Sequence, residues 1–309
     1  MMVTVASSER SGCDESLTAT SDSGGRYDRR MSSRAGRGQG RGSTSRVILI
    51  TGASSGLGLA CANRLQASGW TVIGASRRGS SPGGWQPLVM DVDDDESVTR
   101  GVADVVAQHG RLDALLACAG WGLAGAVEDT PIHLAKAQLE TNFWGAVRTA
   151  QAALPEMRQQ GGGRIVLMSS IGGVLGIPFQ AFYSASKFAM EGYGEALAYE
   201  VAPFGIDVTL VQPGNFSTGF TASRLLIDAP EADNPYAVAQ TKAIGVMEHD
   251  EVNGAAPGAL AATVERVLTA ARPPRRVSAG SLDERVGLLG KRLLPFRLFE
   301  RAARGSLGV

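Results

Sequence analysis

The chain has 309 residues, 44% of them apolar and 19% charged, with 30 basic side chains against 30 acidic ones. That balance fits a soluble globular protein with a sizeable core, and no run approaches the roughly 18 apolar residues that cross a bilayer. The charge is uneven: residues 1–46 hold eight arginines against five acids, so the remainder is slightly acidic, which argues against a nucleic-acid partner.

Residues 1–45 are rich in Ser, Gly and Arg with almost no large apolar side chains and read as a disordered tail. An arginine-rich arm for RNA or anionic lipid is the competing reading, and Met31 offers a second start. From Val47 the pattern alternates. "RVILI" is a short buried strand, "GLACANRLQASG" a helix ending at Gly69, and "WTVIGAS" a second strand. "PLVMDV" and "LDALLACAG" are further strands, with the helix "DDESVTRGVADVVAQHG" between them, opened by acids and closed by Gly110. "HLAKAQLETNFWGAVRTAQAALPEM" is one long helix, "GRIVLMSS" a strand, "YSASKFAMEGYGEALAYEVAPFG" a helix and "IDVTLVQPG" a strand. Continuous apolar strands separated by helices imply an α/β fold: a doubly wound parallel sheet with helices on both faces, in one domain over residues 46–280. Residues 221–256 form the expected substrate lid, followed by a helix near "GALAATVERVLTAA". Residues 281–309 are an apolar and basic helical tail broken by Pro295. We expect it to pack on the substrate pocket or a neighbouring subunit, with a membrane-surface helix as the alternative.

The first strand runs directly into "TGASSGLG". A tight turn through Gly52, Ser54, Ser55, Gly56, Leu57 and Gly58 lets backbone N–H groups approach a pyrophosphate, and the following helix directs its positive end at the same anion. That is the Rossmann-type arrangement for a dinucleotide. At the end of the second strand an acid would hold the ribose of NAD, but the chain has Ser76 followed by Arg77 and Arg78. Two guanidiniums suit a 2′-phosphate, so NADP(H) is expected over NAD(H).

Of only four lysines, Lys187 falls four residues after Tyr183, so the two share one helix face. A free phenol has a pKa of about 10, and using it as a base near neutrality needs roughly 4 kcal/mol of phenolate stabilisation, which an adjacent cation favours. A plain surface contact is the other reading of that spacing taken alone. The three histidines, His109, His133 and His249, have no spacing for zinc or a hydrolytic triad, and the cysteines Cys13, Cys61 and Cys118 have none for a metal or a disulfide framework. No metal is expected, and the reducing cytoplasm is the expected setting.

"GRIVLMSSIGGVLGIPFQAFYSASKFAMEG", together with "TGASSGLG" and "QPGNFST", resembles the short-chain dehydrogenase/reductase family over residues 46 to about 220. The resemblance implies that Tyr183 is the acid/base, that Lys187 lowers its pKa while gripping the nicotinamide ribose, that Ser170 polarises the substrate oxygen, and that Asn142 holds a water of the proton relay. Ser169 is not expected to take part. It also implies adenine contacts from Asp91 and Val92, close backbone approach at Ala119 and Gly120, and nicotinamide contacts from Pro213, Gly214 and Thr218. One departure is plain: "ACAG", residues 117–120, stands where the family has Asn-Asn-Ala-Gly, which removes amides that brace the sheet and the adenosine pocket.

Trp121, Leu123, Val174, Phe179 and Phe216 are the expected substrate-pocket side chains. None is cationic, so a lipophilic ketone, aldehyde or secondary alcohol fits better than a phosphorylated one. The stretch around Tyr183 also looks like hydroxysteroid and retinol dehydrogenases. A catalytically silent NADP(H)-binding sensor or scaffold, and a carrier-linked 3-ketoacyl reductase, are the alternatives. The two long helices around Asn142 and Tyr183 offer the faces through which relatives form homodimers or homotetramers.

Overall fold

Strands buried on both faces dictate the central layer, and β1 (Val47–Thr51) is buried at all five positions. The structure, a computed structural model, describes residues 45–227 and 234–307. Most of the expected tail and residues 228–233 of the expected lid lie outside the described residues. After β1 come β2 (Thr71–Ser76), β3 (Gln86–Val89), β4 (Ala114–Ala117), the short β5 (Leu123–Ala124), β6 (Gly163–Met168), β7 (Ile206–Pro213), the short β8 (Leu225–Leu226) and β9 (Arg276–Ala279). Among the described residues, seven of these form one sheet in the order β3-β2-β1-β4-β6-β7-β9 with every neighbour parallel. β5 and β8 pair separately, Leu123 opposite Leu225.

The helices are α1 (Gly56–Ala67), α2 (Asp95–His109), α3 (Ile132–Leu139), α4 (Gly145–Gln159), α5 (Ala181–Val201), α6 (Phe220–Ser223), α7 (Ala237–Val252), α8 (Pro257–Thr269), α9 (Leu282–Leu293) and α10 (Phe296–Leu307). Alternation along β1 sets the two core layers. Leu49 faces a layer that includes Val102 of α2, Ala150 of α4 and Leu197 of α5. Ile48 and Ile50 face the other, with Cys61 and Leu65 of α1 and Leu260 and Val264 of α8. Strand order reverses between β1 and β4, which opens a crevice beyond their carboxyl ends, where such sheets bind ligands.

Three local expectations change. The long helix expected over 133–157 is α3 and α4 joined by a π-helical segment, Glu140–Trp144. One wide turn there rotates Asn142 into the interior, a feature that recurs at functional sites. β3 stops at Val89 and β4 at Ala117, shorter than their apolar runs, because each run continues into loop at the crevice. A further strand, β9, extends the sheet beyond the last expected one and pairs parallel to β7 at the edge. Pro295 does separate two tail helices, and α9 begins with a capping box in which Ser281 and Glu284 bond each other's backbone N–H.

Candidate active site

The glycine turn is tight where protein fills the space and open where a ligand would approach. Gly52 has φ +68°, and a Cβ there would lie 2.8 Å from the Cα of Ala119. A Cβ on Gly58 would overlap the Gly52 carbonyl oxygen. Gly56, at φ +55°, has only the Cβ of Thr218 near, at 3.9 Å. The N-cap of α1, Ser55, makes no side-chain capping bond, so the first-turn N–H groups keep their donors for an anion. Ser54 borders this turn, and Leu57 turns its side chain back onto the core. Thr51 supplies the brace that the "ACAG" loop lacks, since its Oγ1 accepts from the N–H groups of Cys118 (3.0 Å) and Ala119 (3.1 Å).

Beyond β2, Arg77 and Arg78 are exposed, and neither has an acidic partner among the described residues. Asp91 follows β3 and accepts from the N–H of Asp93 at 3.1 Å, while Val92 packs under Gly145. This set of backbone donors, two unpaired cations and an open cleft fits a nicotinamide dinucleotide. Pro213 ends β7 on the other side of the crevice. Gly214 follows under the Glu284 carboxylate, which accepts from the N–H of Asn215 at 2.5 Å. Thr218 Oγ1 accepts from the N–H of Phe220 at 3.2 Å.

The expected catalytic residues converge at the mouth of the same crevice. Ser170 caps the short 3-10 turn Ile171–Gly173, its Oγ accepting from the N–H of Gly172 at 3.0 Å. A Cβ on Gly172 would lie 3.2 Å from the Tyr183 ring and 3.3 Å from Ser170 Oγ, so this glycine keeps serine and phenol in touch. Tyr183 sits in the first turn of α5, and Lys187 one turn on has its Nζ 5.8 Å from the Tyr183 ring centroid. That Nζ donates to the carbonyl of Met168 at 2.8 Å. Asn142 is buried and clasps Trp121, accepting from its N–H at 2.9 Å and donating to its carbonyl at 3.0 Å. Gln138 donates to the same carbonyl at 2.9 Å. Ser169 Oγ is buried without a hydrogen-bond partner among the described residues.

The electrostatics differ from the expected lowering of the phenol by lysine. Burial raises the Tyr183 hydroxyl above its ordinary pKa, opposed by the hydrogen bond to Ser170 and the nearby Arg224, and reinforced by Glu251 and Cys118. Lys187 is itself depressed to about 8 by burial. Burial therefore favours the protonated form of Tyr183. The ammonium of Lys187 is present below about pH 8 and lost above it. Carbonyl reduction is expected to show a kcat/KM that is level from about pH 6 to 7.5 and falls towards tenfold per unit above about pH 8. A profile flat through about pH 9.5, measured with saturating reduced cofactor, would contradict this reading of Lys187.

Of the expected substrate-side residues, Leu123 is buried in β5 opposite Leu225, Trp121 and Val174 are half-buried, and Phe179 packs with Ile244 and Met247 of α7 in an apolar cluster. Phe179 holds φ +58°, a strained value for an aromatic residue. Phe216 is placed elsewhere: its bridge to Ala255 draws it into the core with α1 and α8. Phe220 takes that place instead, its ring centroid 5.9 Å from that of Tyr183.

The expectation of a pocket without cations also needs correction. Arg224, 6% exposed, pairs through Nη2 with both carboxylate oxygens of Glu251, and its Cζ lies 5.9 Å from the Phe220 ring. Thr221 Oγ1 donates to the same carboxylate at 2.6 Å. The Nε and Nη1 of Arg224 are buried without an acceptor among the described residues, a state that costs about 1–3 kcal/mol per neutral group and more for a charged one. Only the spacing from Arg224 to Glu251 marks this pair in the sequence, and 27 positions is no local signal.

A family model described as short chain dehydrogenase matches residues 46–226. The chain is 42% identical over 259 residues to a 3-ketodihydrosphingosine reductase of Bacteroides thetaiotaomicron, covering 84% of this chain and 96% of that protein. It is 38% identical over 193 residues to estradiol 17-beta-dehydrogenase 1 of Rattus norvegicus, covering 57% of this chain and 56% of that one. The crystal structure of a short-chain dehydrogenase from Streptomyces avermitilis superposes with a TM-score of 0.73 at 34% identity, over 85% of this chain and 99% of that one.

Proposed function

The chain belongs to the short-chain dehydrogenase family, whose oxidoreductases act between CH–OH and C=O with a nicotinamide cofactor, and on that premise we propose that it reduces the ketone of a lipophilic, long-chain substrate with NADPH. The observation that carries the reading is the meeting of Ser170, Tyr183 and Lys187 at the crevice mouth opposite the glycine turn. Likeness to a reductase of 3-ketodihydrosphingosine supports a long-chain ketone ahead of a steroid or retinoid.

Bound nicotinamide would supply the hydride; the chain's own residues manage the proton. Ser170 Oγ, held by the Gly172 N–H, donates to the carbonyl oxygen and orients it. As charge grows on that oxygen, the Tyr183 hydroxyl, kept neutral by burial, transfers its proton. Lys187, charged below about pH 8, compensates the phenolate that remains. Asn142 fixes the Trp121 loop through both of its backbone polar groups.

Arg77 and Arg78 would take the 2′-phosphate of NADPH, as their lack of acidic partners among the described residues supports. We further propose a homodimer or homotetramer through the π segment, α4 and α5, whose outward side chains include Trp144, Phe188 and Tyr199. The test is a panel of long-chain ketones, steroids, retinals and ketoacyl thioesters, followed by NADPH and NADH absorbance. A long-chain ketone with NADPH should give the highest kcat/KM. The double variant Arg77→Ala/Arg78→Ala should lower kcat/KM for NADPH about 10²-fold, roughly 3 kcal/mol, while moving that for NADH little. Equal or better turnover with NADH by the wild type would refute the cofactor preference. No turnover of any member would favour a silent binding protein.

A further inference from the structure

The lid contributes one polar device to an otherwise apolar pocket. Arg224 directly precedes β8, and the N–H of Leu225 donates to the carbonyl of Gly122 at 2.8 Å, which pins the arginine beside the loop that carries Trp121 and Leu123. A Cβ on Gly122 would lie 2.9 Å from the Phe220 ring and 3.4 Å from Cγ of Arg224, so the absence of a side chain at 122 is what admits both. Phe220 in turn contacts the Tyr183 ring, and the charges of Arg224 and Glu251 are felt at the Tyr183 hydroxyl. The pair thus sits within reach of the reacting centre.

The arginine is anchored yet incompletely used. Nη2 takes both oxygens of Glu251, and Thr221 adds a third bond to that carboxylate, whereas Nε and Nη1 are buried donors without acceptors among the described residues. A latch that only closed the lid would satisfy these groups or leave them in water. The pair is also neutral as a unit, so it gains little from a fully charged anion. An uncharged oxygen with lone pairs is the acceptor that matches it.

We propose that Arg224, held by Glu251, is a headgroup subsite whose unpartnered Nε and Nη1 donors take an uncharged oxygen, a hydroxyl or carbonyl, carried a few bonds from the reacting ketone of an amphiphilic substrate. This deepens the reading of a lipophilic ketone reductase and rests on it. The substrate is then an amphiphile with a polar end beside the nicotinamide and an apolar chain against Phe179 and α7. Sites built to hydrogen-bond a substrate oxygen reject analogues that lack it far more strongly than apolar pockets reject a missing methylene.

The experiment compares two ketones of equal chain length, one bearing a hydroxyl on the second carbon from the carbonyl and one without it. Wild type should prefer the hydroxy ketone on the order of 10²-fold in kcat/KM. Arg224→Lys keeps a cation for Glu251 but not the guanidinium donors, and the ratio should collapse to within about threefold. Thermal melting and NADPH fluorescence report whether that variant folds and binds cofactor. Should it misfold, Arg224→Met/Glu251→Leu removes the pair as a unit and should give the same collapse. A preference retained in the folded Arg224→Lys protein, or equal wild-type rates on both ketones, overturns the subsite alone. If wild type reduces neither ketone with either cofactor, the parent reading falls and the subsite with it.

Discussion

Tyr183→Phe is expected to lower kcat/KM for carbonyl reduction by about 10³-fold or more, while NADPH binding stays within about threefold of wild type. The phenylalanine keeps the ring that meets Phe220 and loses only the hydroxyl. Burial raises the pKa of the Tyr183 hydroxyl, so under the proposed mechanism it enters the reaction carrying the proton that the carbonyl oxygen needs as charge develops. General-acid catalysis of this kind supplies roughly 10²–10⁴ in rate, and Ser170, which orients the oxygen, cannot replace a proton donor. Stopped-flow absorbance of the reduced cofactor, with cofactor affinity measured separately by fluorescence, separates the two effects. A variant within about tenfold of wild type would show that the proton reaches the oxygen by another route.

The two inner glycines of the first turn should fail in opposite ways. Gly58→Val drives a side chain into the Gly52 carbonyl, a backbone group that cannot step aside, so the chain should lose about 3 kcal/mol of stability together with cofactor binding. At Gly56 the surrounding space is open except for Thr218. Gly56→Ala should therefore fold with a penalty of about 1 kcal/mol for its left-handed φ, yet bind cofactor at least about 10²-fold more weakly, because the methyl group stands where the pyrophosphate approaches the helix N-terminus. Calorimetric melts paired with cofactor titrations read both quantities. Near wild-type cofactor affinity in Gly56→Ala would mean that the dinucleotide does not lie over this turn.

What was legible in the sequence is what short-range geometry encodes. A tyrosine and a lysine four apart on a helix must share a face, and glycines between a buried strand and a helix must make a tight turn. The parallel sheet followed from apolar runs too continuous for a half-exposed strand. The parts that escaped depend on contacts between distant segments. Phe216 and Phe220 stand on either side of Thr218, and nothing local says that the bridge to Ala255 will draw the first into the core and leave the second beside Tyr183. Arg224 and Glu251 meet where the segment before β8 pairs back onto β5. The π turn at Asn142 spans five residues, too few to alter the helical periodicity of the run around it. The lowering of the phenol by Lys187 was read from charge alone, whereas in the folded chain burial raises the phenol and depresses the lysine itself.

The Glu284 carboxylate closes over Gly214 and bonds the N–H of Asn215, so a residue seventy positions downstream walls the turn that ends β7. During synthesis a nascent chain acquires its phosphate turn, its serine and its tyrosine long before this lid on the crevice has left the ribosome. The wall of that turn is therefore completed only after α9, which follows the last strand of the sheet, has been made and packed.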